Sequence, residues 1–109
     1  MIIQCRRCNE KRVMAWSVEW GRRGAWLNDI APGIIVTPLA IDEFNGPWGD
    51  FYKNMFAKCP AGRPETADEV ANVAELLMSD KGAFITGSTF LIAGGATSSY
   101  YYGPLKPEK

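Results

Sequence analysis

The sequence predicts an α/β fold in which helix, strand, helix and strand follow one another along the chain. Three observations carry this. A run free of Gly and Pro, from Ile3 to Trp20, has helical periodicity. The stretch Asn28-Asp29-Ile30-Ala31-Pro32-Gly33-Ile34-Ile35-Val36-Thr37-Pro38 reads as a strand that runs into a Pro-Gly turn and stops at a threonine. The β-rich run Ser88-Thr89-Phe90-Leu91-Ile92, flanked by Gly87 and Gly94-Gly95, closes the pattern as a buried strand. Strand, helix and strand over this span make a βαβ unit, whose crossover is expected to be right-handed.

In the first helix, Val13, Trp16 and Trp20 recur at i, i+3, i+7, and Met14 with Val18 makes a second stripe. Apolar residues on more than one side predict burial on two faces. Gly21 is expected to end the helix, with Arg22-Arg23-Gly24 as the turn. Ala25 to Ala31 is then a strand, and Ile34 to Val36 continues extended, because Pro38 keeps Thr37 out of helix. Leu39 to Phe44 fits one or two helical turns, and Asn45-Gly46-Pro47-Trp48-Gly49 is a loop. Asp50 is placed to cap a short helix running to about Lys58. After an irregular Cys59 to Pro64, Thr66-Ala67-Asp68-Glu69 is a capping box. Val70, Val73, Ala74 and Leu77 follow at i, i+3, i+4, i+7, so a helix runs on to a stop near Ser79 to Gly82. Ala96 to Lys109 reads as a tail with three consecutive tyrosines.

The chain has 109 residues, enough for one domain. Its 12 basic and 12 acidic residues cancel, which removes any electrostatic case for nucleic acid or an anionic membrane. With 47% apolar residues and four tryptophans, little charge keeps it monomeric. The lack of histidine removes the commonest general base and metal ligand. No apolar run approaches a transmembrane span, the N-terminus lacks a signal-peptide core, and three cysteines suit a reducing compartment. The expected location is the cytoplasm.

Thr37 after Pro32-Gly33 is the best functional candidate. A strand end followed by a glycine turn lets backbone groups approach a ligand at the carboxyl edge of a parallel sheet, where open α/β sheets bind. The plainer reading is an ordinary strand-to-loop turn. Cys5-Arg6-Arg7-Cys8 lacks the second CxxC or His pair that a zinc site needs. Arg6 and Arg7 read as solvated. Asp42-Glu43 and Asp68-Glu69 are adjacent on helices, so each pair points apart, and Asp68-Glu69 is explained by capping. The glycines never form GxGxxG after a strand. Trp48, Phe51, Tyr52, Met55 and Phe56 either line a pocket or lid or simply pack a core. Tyr100-Tyr101-Tyr102 either stacks on a ligand or partner or lies in a loose tail.

Three motifs together resemble the short-chain dehydrogenase/reductase family, over roughly Ile2 to Gly95. Trp16-Ser17-Val18-Glu19-Trp20-Gly21 resembles the end of the helix that follows the family's catalytic residues. Asn28 through Thr37 resembles its Asn-x-x-x-Pro-Gly-x-x-x-Thr stretch. Ile85-Thr86-Gly87 with Leu91-Ile92-Ala93-Gly94-Gly95 resembles its final strand. The resemblance implies the C-terminal portion of a doubly wound NAD(P)-binding Rossmann fold: a partial domain over residues 1–95, then a tail over 96–109. It implies that Pro32, Gly33, Ile34, Ile35 and Thr37 meet the nicotinamide half of NAD or NADP, with backbone at Ile35 on the carboxamide. Leu39 to Cys59 becomes the variable substrate loop. The helix after Thr66 and the strand at Ser88 to Ile92 become one subunit interface, and the first helix serves another.

The family's Tyr-x-x-x-Lys pair falls on this register at Ile2 and Arg6, and isoleucine cannot move a proton. Trp26 stands where the family often has arginine, and Ala93 where it often has aspartate. The catalytic serine and the glycine-rich loop belong before residue 1. The expectation is therefore an oxidoreductase fragment with no catalytic residue and no metal site of its own, binding NAD(P) weakly or not at all by itself. The parent's substrate is a small molecule. The partner expected is a second copy or the missing N-terminal half, because exposed apolar patches predict self-association. A non-catalytic interaction module is the other functional class.

Overall fold

A computed structural model describes the backbone of residues 2–107 and the side chains of residues 8–107. The elements run α1 (Ile2–Arg22), β1 (Asp29–Pro32), α2 (Pro38–Phe44), α3 (Gly49–Lys58), α4 (Ala67–Met78), a 3-10 turn (Asp80–Gly82), β2 (Thr89–Ile92) and α5 (Ala96–Tyr102). β1 and β2 form a two-stranded sheet. Asp29 N–H donates to Ser88 C=O at 2.9 Å and Gly33 N–H to Ile92 C=O at 2.7 Å, and this equal stagger is that of parallel strands. The expected helix-strand-helix-strand order of an α/β fold is present.

The chain divides into two compact units. The first holds residues up to Ala31 together with Asn72–Leu91. Here α1 ends in a Schellman motif: Ala25 N–H donates to Trp20 C=O and Gly24 N–H to Gly21 C=O, both at 3.0 Å. Gly24, at φ 78°, supplies the left-handed residue. Gly21, expected to be the terminator, lies inside the helix. The faces of α1 also differ from expectation. Val13, Ser17 and Gly21 are half-buried, whereas Met14, Trp16, Val18 and Trp20 are exposed. Periodicity of apolar residues pointed to the tryptophans, but the stripe that packs is the one with small residues, which let backbones approach.

Before the sheet begins, the chain from Trp26 to Asn28 is held mostly by side chains, with one backbone bond, Gly87 N–H to Leu27 C=O at 2.8 Å. Trp26 Nε1–H donates to Ala83 C=O at 2.9 Å. Asn28 Nδ2 donates to Ile85 C=O at 2.9 Å, and its Oδ1 accepts Ser88 N–H at 3.1 Å. The strand expected from Ala25 therefore starts only at Asp29. β2 is half-buried with Leu91 exposed, not buried on both faces as a Gly-flanked apolar run suggests.

The second unit holds Pro32–Ala71 and the chain from Ile92 on. α2 and α3 pack through an edge-to-face chain of rings: Phe44 lies 5.4 Å from both Tyr52 and Phe56. Trp48, not Asp50, holds the N-cap position of α3; Asp50 sits in the first turn, where its charge favours the helix dipole. The segment read as a tail forms α5, whose buried Ser99 donates to Lys58 C=O at 3.0 Å. Ala40 and Cys59 are the buried apolar residues among those described.

The capping box stands as expected. Thr66 N–H donates to Glu69 Oε1 at 2.9 Å, and Glu69 N–H to Thr66 Oγ1 at 3.3 Å. Arg63 adds a bidentate pair to Glu69, both bonds 2.7 Å. Val70, Val73, Ala74 and Leu77 are the inward, half-buried positions of α4.

The Arg63 bonds, then those from Thr66, hold the Glu69 carboxyl down at about 2 from its usual 4.5. A lowered folded value means the contribution is complete above 4.5 and is lost as pH falls through about 2. Urea midpoints taken across that window should therefore fall with pH. In E69Q the slope should be shallower, and 1 M salt should shrink the difference, because both partners are exposed to solvent.

Candidate functional site

The predicted rim begins where β1 ends. Pro32 is exposed, Gly33 to Ile35 are half-buried, and Thr37 is exposed. The segment is held by a single residue of parallel pairing between Ile35 and Glu65. Glu65 N–H donates to Ile34 C=O and Val36 N–H donates to Glu65 C=O, each at 2.8 Å. Gly33 N–H is shared between Ile92 C=O at 2.7 Å and Glu65 Oε2 at 2.9 Å.

This pairing fixes what remains free. Peptide directions alternate along extended chain, so if Ile34 C=O and Val36 N–H face Glu65, the N–H and C=O of Ile35 face the other way. Neither Ile35 group has a hydrogen-bond partner among the described residues. The rim thus offers one donor and one acceptor from one residue.

Thr37 is the N-cap of α2. Its Oγ1 accepts Ala40 N–H at 3.1 Å, with Pro38 at the first helical position. The hydroxyl that made Thr37 a binding candidate thus accepts one bond from the helix and keeps its O–H and one lone pair for another partner. Glu65 was missed by the sequence reading. It lies in an irregular stretch, and its partner residues are about 30 positions away with no local signature.

The aromatic cluster is brought together but divided. Tyr52, Met55 and Phe56 are half-buried, while Trp48 and Phe51 are 69% and 59% exposed. Tyr52 Oη donates to Glu43 at 3.3 Å, and the Glu43 charge pushes the phenol above its ordinary range. A phenol raised in this way is poorly suited to give up a proton near neutral pH. Glu43 and Glu69 are each engaged by separate partners, so neither acidic pair shares a site. The side chains of Ile2, Cys5, Arg6 and Arg7 lie outside the described residues, and Cys8 is exposed. Among the described residues no three His, Cys, Asp or Glu gather as a metal site, and no helix is long and apolar enough to cross a membrane.

Residues 9–97 match the family model for enoyl-(acyl carrier protein) reductase. The chain belongs to the short-chain dehydrogenase/reductase family. It is 40% identical over 81 residues to D-threitol dehydrogenase of Mycolicibacterium smegmatis, covering 74% of this chain and 30% of that protein. It is 35% identical over 91 residues to a short-chain dehydrogenase/reductase of Alternaria brassicicola, covering 84% of this chain and 33% of that one. Among solved structures, 4-hydroxyisoleucine dehydrogenase complexed with NADH matches with a TM-score of 0.72 at 27% identity, over 84% of this chain and 37% of that chain. The chain spans about a third of the length of the curated relatives it matches.

Tyr102 and Lys106 repeat the Tyr-x-x-x-Lys spacing that the resemblance implies, but they do not share a helix. α5 ends at Tyr102, Gly103 and Pro104 intervene, and Tyr102 is 93% exposed.

Thr37→Ala removes the α2 cap and should lower stability in urea unfolding by about 1 kcal/mol, whereas Thr37→Ser should stay close to the parent.

Proposed function

We propose that this chain supplies the nicotinamide-side wall of an NAD(P)-dependent oxidoreductase that moves hydride between the cofactor and a carbonyl or alcohol. The observation that carries the reading is the unspent N–H and C=O of Ile35, side by side on one edge. A primary carboxamide presents the complementary acceptor and donor. A nicotinamide bound there supplies the hydride. Ile35 holds its carboxamide, Pro32 and Gly33 give the close backbone approach, Ile34 completes the extended segment, and the Thr37 O–H is a donor at the far end. Membership of the family and the NADH complex of a related structure support this assignment.

By itself the chain is proposed to turn over nothing. Its sequence has no glycine-rich phosphate loop, and the register of the proton donor falls on Ile2. A reducing compartment, the cytoplasm, suits the exposed Cys8 thiol and the buried Cys59 thiol.

A second reading, self-association, is favoured by α1. Met14, Trp16, Val18 and Trp20 are 61%, 54%, 58% and 47% exposed, and Trp16, Glu19, Trp20 and Arg23 line an open groove of about 400 Å3. An aromatic and aliphatic face of this kind marks an interaction surface, and a second copy or an intact relative is the partner it would take.

Adding millimolar NADH should shift the amide signal of Ile35 while leaving Val36 nearly still, with weak or undetectable heat in calorimetry and no reduction of ketone substrates. An unmoved Ile35 would defeat the cofactor reading, and NADH-dependent reduction that vanishes in T37A would overturn the expectation of no turnover. Sedimentation at tens of micromolar should show a dimer or larger species that Trp16→Glu and Trp20→Glu convert to monomer. A monodisperse parent monomer with a sharp melt would exclude the second reading.

A further inference from the structure

The side chain of Glu65 makes a bond that its backbone cannot. Its peptide groups pair with Ile34 and Val36, as any residue except proline would. Its carboxylate turns along the same segment and accepts Gly33 N–H through Oε2 at 2.9 Å. That N–H already donates to Ile92 C=O at 2.7 Å, so one peptide hydrogen is drawn by two acceptors, one of them charged. A trans peptide is planar with N–H and C=O antiparallel. Fixing Gly33 N–H therefore fixes the Pro32 carbonyl on the opposite side of the chain.

The other carboxylate oxygen, Oε1, is enclosed and has no partner among the described residues. Arg63, two residues away, commits its guanidinium to Glu69 instead. An enclosed, unpaired carboxylate oxygen is a cost to the fold. The hydrogen bond to Gly33, with the nearby charge of Arg63, offsets it, and the group that bond restrains lies in the turn at the rim.

We propose that Glu65 is a positioning residue: its carboxylate, through Gly33 N–H, sets the direction in which the Pro32 carbonyl and the adjoining rim face a ligand. The ligand's identity rests on the nicotinamide reading; the orientation of the Pro32–Gly33 peptide does not.

Amide hydrogen exchange and proton shifts of the 15N-labelled full chain, without ligand, test this. In Glu65→Ala, Gly33 should exchange roughly tenfold faster and its amide proton should move upfield. Val36, bonded to the Glu65 backbone, and Ala40, bonded to Thr37, should keep their rates. Equal acceleration at Gly33 and Val36 would reduce Glu65 to backbone pairing and overturn the proposal, as would an unchanged Gly33. Should Glu65→Ala not fold, Glu65→Gln keeps an acceptor oxygen without the charge. Gly33 should then stay protected to within about threefold while its proton still moves upfield, and an unmoved proton overturns the proposal. An Ile35 signal that ignores NADH, beside a Gly33 that responds to Glu65→Ala, removes the cofactor reading and upholds the positioning role.

Discussion

Whatever the rim offers a ligand depends on one residue of parallel pairing, Ile35 against Glu65. Without it, residues 34–36 would be tied only at their ends, by Gly33 N–H to Ile92 C=O and by the Thr37 cap, and ordering each residue costs about 1–2 kcal/mol of backbone entropy. With it, three groups are spent, Gly33 N–H, Ile34 C=O and Val36 N–H, and the remaining pair at Ile35 is left free on the opposite edge. The chemistry of the site is thus defined by subtraction. On the proposed reading, a carboxamide would be met by what the fold does not consume.

The pairing holds because its neighbours on both strands are anchored at once. On one side, Thr37 starts α2 immediately after Val36. On the other, α4 starts at Ala67, two residues past Glu65, under the Thr66–Glu69 cap and the Arg63 clamp. The approach to Glu65 is fixed in turn by Ala61 N–H, which donates to Gly94 C=O at 2.9 Å. Close packing continues at Gly95, where φ is 84° and an added Cβ would come within 2.5 Å of Pro60. Only glycine meets both demands. Local caps and one glycine contact thus do for this segment what a longer ladder does in a wider sheet.

What was legible in the sequence was what is local. The Thr66–Glu69 box, the inward stripe Val70–Leu77 and the Pro-Gly strand end each lie within a few residues, and each is present. The family motif singled out the segment from Pro32 to Thr37, which runs from the end of β1 to the N-cap of α2. Long-range terms were not legible. Glu65 meets Gly33 through a side chain whose neighbours in sequence announce only a turn. The face of α1 was misassigned because hydrophobicity alone ranks Trp16 above Ser17, whereas a close approach ranks them in reverse. Asn28 adds bonds from its own amide where the ladder is incomplete, and a strand-propensity reading counts it only as a poor strand former.

The buried apolar residues, Ala40 and Cys59, are small, and hydrogen bonds rather than a packed core hold the rim. Such bonds contribute only about 0.5–1.5 kcal/mol each once exchange with water is counted. Burying a single large apolar side chain contributes about 1.5–3 kcal/mol. The part-exposed Trp16, Trp20, Trp48 and Phe51 therefore represent unrealised stabilisation comparable to what the rim network supplies. Any polypeptide that covers them favours the folded state by mass action and lengthens the time for which the rim stays ordered. The two proposals, association and cofactor recognition, are therefore compatible: covering apolar surface would add stability to a fold whose rim is held by hydrogen bonds.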